Sequence, residues 1–269
     1  MTKTKKLISA TGVIIVLAVI SLFLFSDNGK PKDFEEIKNV GVLRIVTDYN
    51  SVGYFVSGDT IAGFNYDLIQ LLKQYIPLKI EIKLESGLDK SIEGLKYGKY
   101  DVMARNIPIT SELRGSLIFT EPVAQNRQVL VQRKKEYNDG VEPLRSHLAL
   151  AKKTLYVAAD SPAILRIRNL SHEIGDTIYI KEDPLYSAEQ LAMQVASGEI
   201  DYAVCDEKRA AKVAESLPEI DYSTLIGFTH IEAWVVSEKS PVLLDSLNQW
   251  IRQVKNTKEY DRIYQKYYN

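Results

Sequence analysis

Gly98-Lys99-Tyr100-Asp101-Val102-Met103-Ala104-Arg105-Asn106-Ile107-Pro108-Ile109-Thr110-Ser111-Glu112-Leu113-Arg114-Gly115-Ser116-Leu117-Ile118-Phe119-Thr120-Glu121-Pro122-Val123 is the stretch whose reading decides the fold. Gly98 reads as a turn and Tyr100 to Ala104 as a short buried strand. A polar loop, Arg105-Asn106, is expected next, locked by Pro108. Thr110 then reads as the N-cap of a helix whose positive end Glu112 favours. A strand that opens into Arg and Asn places polar groups at its carboxyl end, and open α/β sheets bind ligands there.

Strands and helices alternate on both sides of that stretch. Upstream, Val42 to Val46 is a β-branched and aliphatic strand ending at Thr47-Asp48-Tyr49. Tyr54 to Gly63 reads as a hairpin with a Gly58-Asp59 turn. Leu68, Leu71 and Leu72 share one face of a helix from Tyr66 to Tyr75, which Pro77 stops. Lys79 to Leu84 alternates as a half-exposed strand, and Leu88 to Tyr97 is a second helix. Downstream, Arg127 to Gln132 is extended, Leu144 to Leu150 is helical, and Thr154 to Ala158 is a strand. Ser161-Pro162 opens a helix with Pro at its first position. Strand Ile178 to Ile180, helix Ser187 to Ala196 and strand Ile200 to Cys205, ending at Asp206, follow. A Gly-Lys-Tyr-Asp turn in the first half is matched by Gly198-Glu199-Ile200-Asp201 in the second. Two related α/β lobes are the expected architecture. Ala233 to Val236 is the last strand, and Pro241 to Tyr268 is a tyrosine-rich helical tail that packs on its lobe.

The amino terminus stands apart. Lys3, Lys5 and Lys6 precede an apolar run from Leu7 to Phe25. The run nears the roughly 20 residues of a spanning helix, and Phe23-Leu24-Phe25 is a poor peptidase site. The expectation is an uncleaved membrane anchor over residues 1–30, with the basic end in the cytoplasm and the body outside. A net charge of -1 over 269 residues argues against a nucleic-acid surface. The single cysteine, Cys205, cannot close an internal disulfide and reads as a small core residue.

Enzyme signatures are missing. No His-Glu-x-x-His helix, Gly-x-Ser-x-Gly elbow, phosphate loop or dinucleotide fingerprint occurs. His147, His172 and His230 lack metal-ligand spacing and read as surface residues. No cofactor, metal or catalytic residue is expected.

The chain resembles the extracytoplasmic solute-binding proteins of polar-amino-acid uptake systems. It is also similar to the matching regulatory domain of membrane-bound lytic transglycosylases. The resemblance rests on Leu43 to Asp48, Gly63-Phe64-Asn65-Tyr66-Asp67-Leu68, Gly98 to Asp101 through Ile109-Thr110 to Pro122, Gly198 to Asp206, and Lys255 to Tyr264. It implies an α/β, two-lobe periplasmic-binding-protein-like (type II) clamp behind an N-terminal membrane helix. The expected division is 1–30 anchor, 31–125 first lobe, 126–229 second lobe and 230–269 return to the first, with crossings near Val123 to Val129 and His230 to Ala233. The family's carboxylate-clamping Arg falls at Leu113 here, and Arg114 is one residue late, about 100° round a helix. Arg105 is the expected substitute from the loop, beside Asn106. Asp206 matches the acid that holds an amino group, with helix N-capping as its alternative. Ser161 matches an anion-binding helix start, Tyr54 a cleft-walling aromatic, and the family's stacking aromatic falls at Ser51. Asp48 faces the ligand or caps its strand. The implied function is non-catalytic clamping of a small zwitterion, an amino acid or short peptide, with a membrane permease as partner. Two alternatives are a transglycosylase-related sensor of cell-wall peptides and a dehydratase using Asp48 with Asp206. No part of these residues is expected to be the transglycosylase catalytic domain.

Overall fold

The computed structural model describes residues 29–109, 117–159 and 161–268. Residues 1–28 of the expected anchor, and Thr110, Glu112, Leu113, Arg114 and Asp160, lie outside the described residues. Among those described, no helix is long and apolar enough to cross a membrane.

Helix α1 (Phe34–Val40) starts on a capping box in which Asp33 and Glu36 exchange bonds with the backbone, and it ends on the left-handed Gly41. It delivers the chain to β1 (Val42–Thr47), whose side chains are mostly buried because the strand lies inside a sheet. β2 (Phe55–Ser57) and β3 (Thr60–Ala62) pair as a hairpin of their own, and β4 (Lys79–Leu84), β5 (Val102–Pro108), β6 (Leu117–Asn126) and β12 (His230–Ser237) join β1 in a first sheet of order β4-β1-β5-β12-β6. β1, β4 and β5 are parallel; β12 runs antiparallel between β5 and β6. The second sheet runs β11-β7-β10-β8-β9. Its strands are β7 (Gln128–Arg133), β8 (Thr154–Ala158), β9 (Tyr179–Asp183), β10 (Ala203–Asp206) and β11 (Ile220–Leu225). The chain passes from one sheet to the other at Arg127, where the guanidinium makes a two-pronged pair with Glu207 at 2.9 and 2.7 Å. It returns over 226–229 into β12.

Each sheet carries its own core. In the first, Trp234 is fully buried and its indole N–H donates to Asn65 Oδ1 at 3.0 Å, so the large ring brings no unpaired polar atom inside. Gly63, at φ +126°, caps α2 (Phe64–Leu72), and a Cβ there would stand 2.4 Å from the carbonyl oxygen of Gly53. This left-handed entry starts the helix two residues before the periodicity suggests. The tail breaks into α7 (Pro241–Lys255) and α8 (Lys258–Tyr268), not one helix. Thr257 at the break accepts the Tyr260 N–H at 3.2 Å. α8 packs on the first lobe: Phe64 meets Tyr268 with ring centroids 4.9 Å apart, and the Tyr267 hydroxyl accepts the Gly63 N–H at 2.9 Å.

Three expectations are corrected. Arg105-Asn106 is not loop but strand, because β12 pairs with β5 as far as Ile107 and Pro108 through Ala233 and Glu232. Of Leu144 to Leu150, only His147–Leu150 winds, and as a single 3-10 turn. Pro162 is the cap of α4 (Ala163–Ile174), not its first helical residue. The remaining helices are α3 (Leu88–Lys96), α5 (Ala188–Ser197) and α6 (Glu207–Ala214).

Candidate functional site

A cleft of about 620 Å³ opens where the two sheets face each other, and Asp48, Arg105, Asn106, Ser161, Asp206 and Arg209 are among its walls. It collects the carboxyl ends of β1, β5, β8, β9 and β10, the edge where parallel strands leave backbone dipoles and loops free to meet a ligand.

Asp48 follows β1 directly and is 5% exposed. Burial alone would raise its carboxyl, but Arg209 and Arg105 beside it outweigh that and hold it below the ordinary carboxylate value. Arg209 Nη2 donates to Asp48 Oδ2 at 3.2 Å, and Arg105 Nε lies 3.4 Å from Oδ1. Arg105 does more than the sequence suggests. Its terminal nitrogens also donate to the Glu85 and Ser86 carbonyls at 3.3 and 3.2 Å and to the Ser91 hydroxyl at 3.1 Å. Most of its five donors are therefore spent on the protein. Burial lowers its pKa, although an arginine starts high enough to keep its charge.

Arg209 is the residue sequence reasoning missed. It lies one turn into α6 and spans two acids, Asp48 at 3.2 Å on the first lobe and Asp206 at 3.5 Å on the second. Burial would lower its pKa, yet Asp48, Asp206 and Glu189 around it raise it. Its signal was present as an acid–base pair three residues apart on a helix, but the partner across the cleft is invisible to local spacing. Asp206 stands at the N-cap of α6 without a side-chain capping bond. Its carboxylate instead accepts from Gln128 Nε2 and faces Arg209.

A second cross-cleft contact was also missed. Glu189, in the first turn of α5, accepts both the backbone N–H and the hydroxyl of Ser51, at 2.9 and 2.7 Å. Ser187 and Gln190 form a capping box that fixes this turn. Ser161 lines the cleft, but its Oγ accepts the Ala163 N–H at 3.3 Å, so it occupies part of the anion-binding helix start itself. Tyr54 is not among the cleft walls. It is buried, and its ring meets Tyr66 edge-on at 5.6 Å, because the hairpin loop folds it onto α2. The aromatic that does line the cleft from this loop is Tyr49, 56% exposed.

Behind the cleft, Asn106 Nδ2 donates to the Tyr268 hydroxyl at 2.5 Å, which donates to Glu232 at 3.0 Å. Glu232 is 1% exposed, and burial, helped by the Asp206 charge, pushes its pKa up against the opposing pull of His230 and Tyr268. His230 is not the surface residue its polar setting suggested. β12 turns it inward, 3.6 Å from Glu232. Cys205 is buried, and desolvation pushes its thiol well above the ordinary value, as expected of an inert core residue.

The sequence pattern of the bacterial extracellular solute-binding proteins, family 3, matches residues 43–269. A membrane-bound lytic murein transglycosylase F from Desulfosudis oleivorans is 24% identical over 94% of this chain and 54% of its own length. Another from Actinobacillus succinogenes is 28% identical over 80% of this chain and 45% of its own. The chain thus spans about half the length of the curated relatives it matches. An ancestral arginine-binding protein bound to arginine superposes with a TM-score of 0.74 at 23% identity, covering 85% of this chain and 99% of that one.

Proposed function

The chain belongs to the bacterial extracellular solute-binding proteins, family 3, and from that premise we propose that it binds a small zwitterion, an amino acid or short peptide, in the cleft between its two sheets, without turning it over. The observation that carries the reading is the charge arrangement across the cleft. Asp48 on one lobe and Asp206 on the other flank Arg209 at 3.2 and 3.5 Å. Asp206 is assigned to the ligand's amino group: a carboxylate has about four acceptor positions, and Gln128 and Arg209 leave some of them open. The ligand's carboxylate is assigned to the cationic field of Arg209 and Arg105, with Arg105 chiefly positioning Asp48. Asn106 and Ser161 complete the polar walls, and Tyr49 takes the place proposed from sequence for Tyr54. With a membrane anchor over residues 1–30 the body would work outside the cytoplasm, handing its ligand to a permease.

A second reading, sensing of cell-wall peptides by a transglycosylase-related domain, is favoured by the relatives named above. A dehydratase reading has less support. It needs Asp48 or Asp206 as a proton donor, and the arginines hold Asp48 ionised.

Thermal unfolding against amino acids, dipeptides and wall peptides tests the proposal. A ligand at 100 times its Kd should add about 2.7 kcal/mol of stability. A rise with an amino acid supports the uptake reading and a rise only with wall peptides the sensing one; a flat panel defeats both.

A further inference from the structure

Behind the ligand cleft, three potential metal ligands from both sheets converge. Asp206 ends β10 in the second sheet, while His230 and Glu232 begin β12 in the first. One donor atom from each lies within 4.8 Å of the others. His230 and Glu232 are not among the walls of the ligand cleft. His230 Nε2 is buried and makes no hydrogen bond among the described residues, its nearest acid oxygen being Glu232 Oε1 at 3.6 Å. Glu232 is buried beneath it, oriented through the Tyr268 hydroxyl at 3.0 Å, which Asn106 in turn holds. A buried imidazole nitrogen without a hydrogen bond, facing two carboxylates, one of them held by a hydroxyl behind it, is the order of groups found around protein-bound metals.

We infer that Asp206, His230 and Glu232 form a site for a divalent transition-metal ion, zinc or manganese, that links the two sheets beside the chain crossing. One imidazole and two carboxylates make a borderline donor set, suited to those ions and poorly suited to copper(I) or to a thiolate cluster. Zinc bonds to such groups at about 2.0–2.2 Å in a tetrahedral arrangement, which sets its ligand atoms about 3.3–3.6 Å apart. Drawing the donors in from 4.8 Å asks for a movement of about 1.2–1.5 Å, small beside the hinge motion of a two-lobed fold. Bridging a strand of each sheet, the ion would favour the approach of the two lobes. The inference goes beyond solute binding, and Asp206 is the one residue the two sites share.

Calorimetric titration of the full chain with zinc chloride alone, at pH 7.5 and again at pH 5, tests it, beside His230→Gln and Glu232→Gln. The expected result is one zinc per chain at pH 7.5, weakened at least tenfold by each substitution and weaker at pH 5, because metal ligands must shed their protons to bind. His147→Gln and His172→Gln should leave the binding unchanged. Absence of stoichiometric zinc binding overturns the inference. So does binding that survives both site substitutions or that is lost with His147 or His172. If His230→Gln melts early without metal, Glu232→Gln decides alone, since it keeps the side-chain volume and removes only the charge. No amino acid is present in this titration, so its failure leaves the solute-binding proposal where the ligand panel puts it.

Discussion

Asp48 sits almost out of water between two guanidinium groups, and its charge is tolerable only because of them. Removing Arg209 leaves two carboxylates facing each other with Arg105 alone against them. Arg209→Met should cost about 3 kcal/mol of stability, the size expected when a buried ion pair loses one partner. Urea unfolding measures it, and an unchanged midpoint would mean that the pair contributes nothing. The same contacts set an acid limit. The folded-state pKa of Asp48 lies below its ordinary 3.8, so its ionised form stabilises the fold above that value and this stability is lost as pH falls below it. Glu232 has the opposite sign. Its folded pKa is raised above 4.5, so the native state binds the extra proton and stability declines as pH climbs from about that value through the raised pKa. Glu232→Gln should flatten the decline on the alkaline side, while Asp48→Asn flattens the loss on the acid side. Unfolding curves from pH 3 to pH 8 separate the two.

At the scale of elements, Gly63 carries one of the sharper demands. Its φ of +126° and the 2.4 Å approach a Cβ would make to the Gly53 carbonyl leave little room for a side chain. Gly63→Ala should therefore destabilise by about 1–3 kcal/mol, the range for residues forced into sparsely populated backbone regions, with the loss read in the same urea assay. Periodicity made most elements legible: the aliphatic run at Val42 to Val46, the hairpin about Gly58-Asp59 and the leucine face after Gly63 all form close to where they are expected. Boundaries slipped where a partner distant in sequence decides them. Arg105 and Asn106 look like a loop because they are polar, but β12, more than 120 residues away, hydrogen-bonds alongside and extends the strand. The candidate site was less legible than the fold for the same reason. Asp48, Arg105, Asn106, Ser161 and Asp206 do line one cleft, but Arg209 and Glu189 act through partners on the opposite lobe. Tyr54 reads as a cleft aromatic and is folded away by its own hairpin.

At the scale of the molecule, two contacts among the described residues reach across the cleft: Glu189 to Ser51 and Arg209 to Asp48. Both favour the closed arrangement, so Glu189→Ala should shift the population toward an open one. Small-angle scattering should then give a larger radius of gyration without ligand and recovery toward the parent value with it; identical profiles would show that Glu189 does not bias closure. The central claim is that a small zwitterion sits between the lobes with its amino group on Asp206. Isothermal titration with the tightest ligand of the panel tests it most directly, comparing the parent chain with Asp206→Asn and with Tyr54→Phe. The account predicts one site per chain, weakened at least tenfold by Asp206→Asn and unchanged by Tyr54→Phe. Equal affinity in the parent and Asp206→Asn would contradict it.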